Sequence, residues 1–301
     1  MNNSNTHARS ERYRSRYARV YLKMLVNDGQ VETEKFVEQF YTSKNYQGRL
    51  EAIQYLIGNS RKYSFPETIC IEALNDFCSQ IKVYVLKNYN FHQANDPQIK
   101  LSLENLARHD EKIQVRTLAI EKLAGLDSVE HDELFFSTSL LKSSNESAAG
   151  LRGLFKLDKV RAYQVAKFRA ESSSGSLDLA IAEIFQAKGN IDDLSFFKDR
   201  LKDRTKFNKI GLVRIYLKML CKIERVELIK QHLQYICEDI SLSANTDLVQ
   251  RLVMELYHFN SEQKAFLAKN CDLDRFISNT IDLLLEKNYL KAKGTDPFGF
   301  L

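Results

Sequence analysis

Apolar residues recur every three or four positions along most of the chain, and segment 96–126 shows this pattern most clearly. It opens with Asp96-Pro97, a pair that suits the start of a helix because proline needs no hydrogen-bond donor there. The pattern stops at the polar turn His109-Asp110-Glu111 and then resumes. The apolar positions of the two halves are Ile99, Leu103, Leu106, Val115, Leu118, Ala119 and Leu123. The segment therefore predicts two amphipathic helices that pack antiparallel as a hairpin.

Similar hairpins are predicted elsewhere, with polar turns near residues 42–48 and 143–145. An aspartate in the turn followed by Val115-Arg116 resembles a HEAT-type repeat, in which Val115, Ala119 and Leu123 would be core positions. A single helix pair cannot bury its apolar face alone, so we expect pairs recurring about every 40 residues to stack. The expected fold is all-α, an α-α superhelix or HEAT/armadillo-like solenoid of antiparallel helix pairs.

The predicted solenoid occupies residues 11–290 as one domain, between a disordered polar tail at 1–10 and a loose tail at 291–301. Its first helix, from Glu11 to Val26, carries a basic cluster that is a candidate patch for phosphate or nucleic acid. The cluster consists of Arg12, Arg14, Arg16 and Arg19. We favour an ordinary solvated helix face, because 44 Lys and Arg against 39 Asp and Glu leave a net charge of only +5 over 301 residues.

One segment is ambiguous in the sequence. The segment from Ile81 to Tyr89 is rich in β-branched and aromatic residues, yet a lone strand among helices would have no partner, so we predict a helix. The helix before it, which starts near Pro66, is predicted to bury Cys70, Leu74 and Phe77. Only 11 glycines and 3 prolines punctuate the chain, which disfavours all-β folds and glycine-rich nucleotide-binding folds.

No catalytic motif stands out. His131-Asp132-Glu133 lacks the second histidine that an H-E-x-x-H zinc helix requires, because residue 135 is phenylalanine. The six histidines are dispersed and are expected to be surface or capping residues. Cys70 and Cys221 lie in apolar helical patterns and are predicted to be structural rather than nucleophilic. P-loop, dinucleotide-binding and G-x-S-x-G patterns do not occur.

The sequence also bears on localisation. The N-terminal segment has basic residues but no apolar stretch typical of a secretory signal. No apolar run approaches the roughly 18 residues that a membrane span needs. We therefore expect no membrane span and a cytoplasmic location for the chain as written; a missing N-terminal region would leave the location unknown.

Four stretches resemble one family. They are NYQGRLEAIQYL, VRTLAIEKL, AAGLRGLFKLDKVRAYQVAK and LAIAEIFQAKGNIDDLSFFKDRL. In this order, over roughly residues 30–240, they are similar to the C-terminal helical-repeat domain of M1-family zinc aminopeptidases, particularly bacterial members.

The resemblance implies an accessory role. The family's catalytic domain uses H-E-x-x-H, a downstream glutamate and a G-x-M-E-N loop, none of which occurs here. The resemblance thus implies no catalytic, metal or cofactor-binding residue in this chain, with zinc only in a separate catalytic domain. The chain would pack on that domain and shape peptide access, with a peptide possible on its concave face. A free-standing HEAT-like protein-binding scaffold is the alternative, and nucleic-acid binding through the basic helix is a third.

Overall fold

The computed structural model describes residues 31–59, 67–94, 96–126, 129–202, 209–241 and 246–292. Within these ranges every regular element is helical, comprising sixteen α-helices and three short 3-10 turns. The part of the chain that the structure describes is therefore all-α. It divides into two compact units, Met1–Phe135 and Phe136–Leu301.

The N-terminal unit is built from helix pairs. Its helices are α1 (Val31–Thr42), α2 (Tyr46–Gly58), α3 (Glu67–Leu74), α4 (Ser79–Asn88), α5 (Pro97–His109) and α6 (Ile113–Gly125), and α7 (Asp132–Ser139) spans the boundary between units. Two of the 3-10 turns, Phe91–Gln93 and Val129–His131, also belong to this unit. Each odd-numbered helix up to α5 packs on the helix that follows it. In addition, α4 packs against both α2 and α6, so the second helices of successive pairs lie side by side.

The C-terminal unit repeats this packing order. Its helices are α8 (Ser144–Leu157), α9 (Lys159–Arg169), α10 (Ser176–Lys188), α11 (Leu194–Lys202), α12 (Lys209–Ile223), α13 (Val226–Ser241), α14 (Thr246–Glu262), α15 (Lys264–Ala268) and α16 (Cys271–Ala292), with a 3-10 turn at Ile191–Asp193. Here α10 packs against α8 and α12, and α14 packs against α12 and α16.

The repeat is shorter than the predicted spacing of about 40 residues. The second helices whose starts are described begin at Tyr46, Ser79, Ile113, Ser144 and Ser176, which are 31–34 residues apart. Helix α7 is short, with 8 residues.

Local sequence signals set several helix boundaries as predicted. The Asp96 side chain accepts a hydrogen bond from the backbone N–H of Gln98 at 2.8 Å, and Pro97 is the first residue of α5. The segment with strand-like composition is helix α4, with Ile81 and Val85 fully buried. Both predictions are confirmed.

The predicted burial of Phe77 is wrong. Helix α3 ends at Leu74, three residues earlier than that prediction required, and the Phe77 side chain is 67% exposed. The chain leaves the helix because the Asp76 carboxylate turns inward, where it accepts the N–H of Cys78 at 2.8 Å. Phe77 is thereby placed in the turn between α3 and α4.

Some predictions fall outside the described residues. These are the tail at 1–10, the helix from Glu11 to Val26 and its arginines Arg12, Arg14, Arg16 and Arg19. At the other end, α16 continues to Ala292, and the rest of the predicted 291–301 tail is likewise outside. Among the described helices, none combines the length and hydrophobicity needed to cross a membrane.

Candidate functional site

The three residues predicted to form a repeat core lie together on one face of α6. Val115, Ala119 and Leu123 are each fully buried, and α6 packs directly on α5. Burying a side chain the size of valine or leucine contributes about 1.5–3 kcal/mol. This face therefore holds the third helix pair together and offers no surface to a ligand.

A buried ion pair joins the first two helix pairs. Arg49, in α2, is 2% exposed, and its guanidinium contacts the Asp76 carboxylate through Nε–Oδ2 at 2.8 Å and Nη2–Oδ1 at 3.2 Å. Its Nη1 donates to the carbonyls of Ser43 and Lys44 in the turn between α1 and α2. Arg49 therefore ties its own turn to the turn of the next pair.

The same connection recurs one pair later. Lys82, in α4, contacts Asp110 at 2.7 Å, and the two side chains are only 16% and 5% exposed. Arg116 donates to the Asp110 carbonyl at 2.6 Å, which fastens the turn from its own helix. The partners are 27 residues apart in the first ion pair and 28 in the second. We call these two ion pairs, Arg49–Asp76 and Lys82–Asp110, the turn ladder.

In the C-terminal unit, arginines of one helix pair contact residues in the turn region of the preceding pair. Arg169, in α9, donates to the carbonyls of Ser139 at 3.0 Å and Leu141 at 3.1 Å. Arg200, in α11, contacts Asp178 at 3.0 Å and donates to Ser173 Oγ at 3.1 Å. Guanidinium groups at the ends of helices satisfy carbonyls that have no partner within the helix.

A groove lies between the turns of the second and third pairs. It encloses about 440 Å³, with Leu74 and Leu106 among its lining residues. Phe77 lines one side, while His109 and Lys112 come from the turn after α5. The Arg49 guanidinium lies 4.5 Å from the centre of the Phe77 ring. One face of the ring therefore packs on Arg49, and the rest of the side chain is exposed.

Exposed apolar residues follow this side of the N-terminal unit. Tyr46 is 43% exposed, Phe77 67% and Ile113 48%, and each lies at or just before the start of a second helix. Lys44 and Lys112 accompany them in the turns and are exposed. We call this set, Lys44, Tyr46, Phe77, Lys112 and Ile113, the turn edge.

Two grooves of the C-terminal unit are lined by internal ion pairs. In the first, of about 270 Å³, Arg214 pairs with Glu255 and Lys218 with Glu262. In the second, of about 460 Å³, Lys167 lies 3.3 Å from the buried Asp193 carboxylate, which also accepts the hydroxyl of Tyr163 at 2.8 Å. Much of the charge in both grooves is balanced within the protein.

Two histidines are buried, contrary to the expected surface or capping role. His131 is 1% exposed with Nδ1 3.3 Å from Glu104 Oε1, and burial lowers its pKa. His232 is 4% exposed, and its Nδ1 is hydrogen-bonded to the hydroxyl of Tyr216. Burial, and secondarily the charge of Lys198, lowers the pKa of His232 to about 4. Both imidazoles are therefore neutral structural groups near pH 7.

The two cysteines considered as nucleophiles are buried. Burial raises the pKa of the Cys70 thiol far above its ordinary value and that of Cys221 to about 12. The thiolate is the reactive form of cysteine, so both residues are inert at neutral pH. Among the described residues, no group of three or more His, Cys, Asp or Glu side chains is arranged to hold a metal ion.

In comparisons with protein-family models, curated proteins and solved structures, nothing matches the chain.

Proposed function

We propose that this chain is a HEAT-like α-solenoid that serves as the accessory domain of an M1-type zinc aminopeptidase, packing on the catalytic domain and shaping peptide access. The observation that carries the scaffold part of this proposal is the turn ladder. Its two ion pairs repeat the same connection with nearly the same offset, 27 and 28 residues. A nearly constant offset is the pattern expected when successive pairs stack in the same way, and it therefore supports a solenoid.

The packing order of the helices supports the same proposal. In both units a second helix contacts its own partner and the second helices of the adjacent pairs. In repeat proteins each unit contacts mainly its neighbours, and the stack presents extended surfaces to partners.

The aminopeptidase part of the proposal rests on the resemblance of four stretches. Each stretch supplies a buried helix face: VRTLAIEKL contributes Val115 and Ala119, and AAGLRGLFKLDKVRAYQVAK contributes Leu154, Ala162 and Val165. The resemblance therefore involves residues that determine helix packing. A free-standing protein-binding scaffold stays as the second candidate, favoured by the exposed turn edge.

The size of the native polypeptide tests this proposal. An antibody raised against this chain, used on an immunoblot of source cells, should detect a polypeptide much larger than 34.9 kDa that co-purifies with zinc and aminopeptidase activity. A band at 34.9 kDa, with neither zinc nor activity, would instead assign the free scaffold. The isolated chain should show no turnover; stoichiometric zinc with turnover in the isolated chain would contradict both candidates.

A further inference from the structure

We propose that the turn edge and its groove bind an extended acidic peptide segment that inserts one aromatic or large apolar side chain beside Phe77. This inference rests on the scaffold part of the proposed function and not on the aminopeptidase part. It assigns the contact to the row of turns in the N-terminal unit.

The groove has the form of a side-chain pocket. Its volume of about 440 Å³ is within the range of small ligand sites. The exposed apolar surface of its lining is that of Phe77, since Leu74 and Leu106 lie buried behind it. The Phe77 ring is held from behind by the Arg49 guanidinium, which is itself fixed by Asp76. An aromatic anchor that is already positioned loses little conformational entropy on binding.

The charges at the turn edge favour an acidic ligand. Asp110 is neutralised by Lys82 at 2.7 Å, and Asp76 by Arg49 at 2.8 Å, so neither carboxylate is left for a basic ligand. Among the described residues, no ion pair involves the ammonium groups of Lys44 or Lys112, and both are exposed. Glu111 is the exposed carboxylate within the groove lining. The unpaired lysines therefore exceed the unpaired acid along the edge.

Peptide fits this surface better than a membrane or nucleic acid. Electrostatic binding to anionic lipid typically uses a cluster of about 4–8 basic residues next to the membrane. Nucleic-acid affinity similarly comes from many phosphate contacts. One unpaired lysine in the groove lining, Lys112, and a second in the turn before α2, Lys44, match a short peptide segment instead.

Fluorescence polarisation of the full chain with three labelled hexapeptides tests the proposal. One has a central phenylalanine among glutamates, one replaces that phenylalanine with alanine, and one places phenylalanine among lysines. The first should bind about tenfold more tightly than either of the others. Phe77→Ser should weaken its binding about tenfold, and Lys112→Glu should weaken the acidic peptide while strengthening the basic one.

Leu101→Ser is the matched control. Leu101 is 57% exposed on α5 but does not line the groove, so its removal changes exposed apolar area elsewhere in the same unit. Equal weakening by Phe77→Ser and Leu101→Ser would overturn the proposal, as would no binding of any peptide at about 1 mM. Phe77-dependent binding to phosphatidylserine vesicles without peptide binding would overturn it in favour of a lipid surface. None of these results alters the immunoblot test of the proposed function.

Discussion

Removing the Asp76 carboxylate tests the turn ladder most directly. Asp76 is fully buried and accepts from Arg49 Nε, Arg49 Nη2 and the N–H of Cys78. In Asp76→Ala, the Arg49 guanidinium keeps its two carbonyl acceptors in the turn between α1 and α2 but loses its counter-charge. An unpaired charge would then lie at a site where the arginine is only 2% exposed.

The expected cost is large relative to the stability of a domain. Breaking a buried ion pair from one side destabilises by about 3–5 kcal/mol, because the remaining charge is desolvated without compensation. Folded domains are stable by only about 5–15 kcal/mol in total. A loss of this size raises the population of the unfolded unit by about two to four orders of magnitude.

Hydrogen exchange followed by mass spectrometry suits this measurement because it reports on each unit separately. Peptides from α2 and α4 should lose protection by about two to four orders of magnitude in Asp76→Ala. Peptides from α12 and α14 in the C-terminal unit provide an internal reference. Urea unfolding monitored by circular dichroism should show an earlier transition for part of the helical signal.

Two further variants test whether the loss of stability comes from the unpaired charge of Arg49. Arg49→Met with Asp76→Leu leaves no unpaired charge and should be more stable than Asp76→Ala, since apolar replacements of buried ion pairs are often tolerated. Glu130→Ala removes the exposed Lys100–Glu130 pair, whose side chains are 32% and 76% exposed, and should cost at most about 1 kcal/mol. If Asp76→Ala and Glu130→Ala lose equal protection, the ladder does not hold the pairs together.

Three other predictions concern burial. Val115→Asp should destabilise the N-terminal unit by more than about 4 kcal/mol in urea unfolding, because it buries an unpaired charge. Its control is Ile113→Asp, which changes a 48% exposed position and should unfold like the parent chain. The pKa of His232 is low in the folded chain, so the unfolded chain binds the imidazole proton more readily. The free energy of unfolding should therefore be highest above about pH 6.5 and fall by about 1–3 kcal/mol towards pH 4. His232→Gln should flatten that slope, and an unchanged slope would refute the assignment. Iodoacetamide should label the exposed Cys271 quickly and Cys221 slowly in the native chain, a difference read by peptide mass spectrometry.

The presence of the helices could be predicted from the sequence because helix formation depends on short-range signals. The Asp96-Pro97 start and the apolar face with Val115 and Leu123 are encoded within one or two turns of chain. The helix over Ile81–Tyr89 was predictable only by elimination, since its composition favours a strand. That prediction succeeded because neighbouring helices leave no partner for a strand.

The candidate site was less accessible to sequence reasoning because its contacts are long-range. Arg49 and Asp76 are 27 residues apart, and their pairing follows from how one helix pair sits on the next. Phe77 continued the apolar spacing of α3, so periodicity alone placed it in the core. The Asn75-Asp76 dipeptide was the available signal, since Asn and Asp favour turns over helix interiors.

The turn ladder limits how such a chain can change in length. The pair formed by α3 and α4 carries both Asp76, which receives a cation from the pair before it, and Lys82, which reaches the carboxylate of the pair after it. Duplicating the whole pair would supply both halves of each new junction. Inserting or deleting a single helix would instead strand a buried charge at a cost of several kcal/mol. The two-helix pair is thus the smallest module by which this unit can be lengthened or shortened.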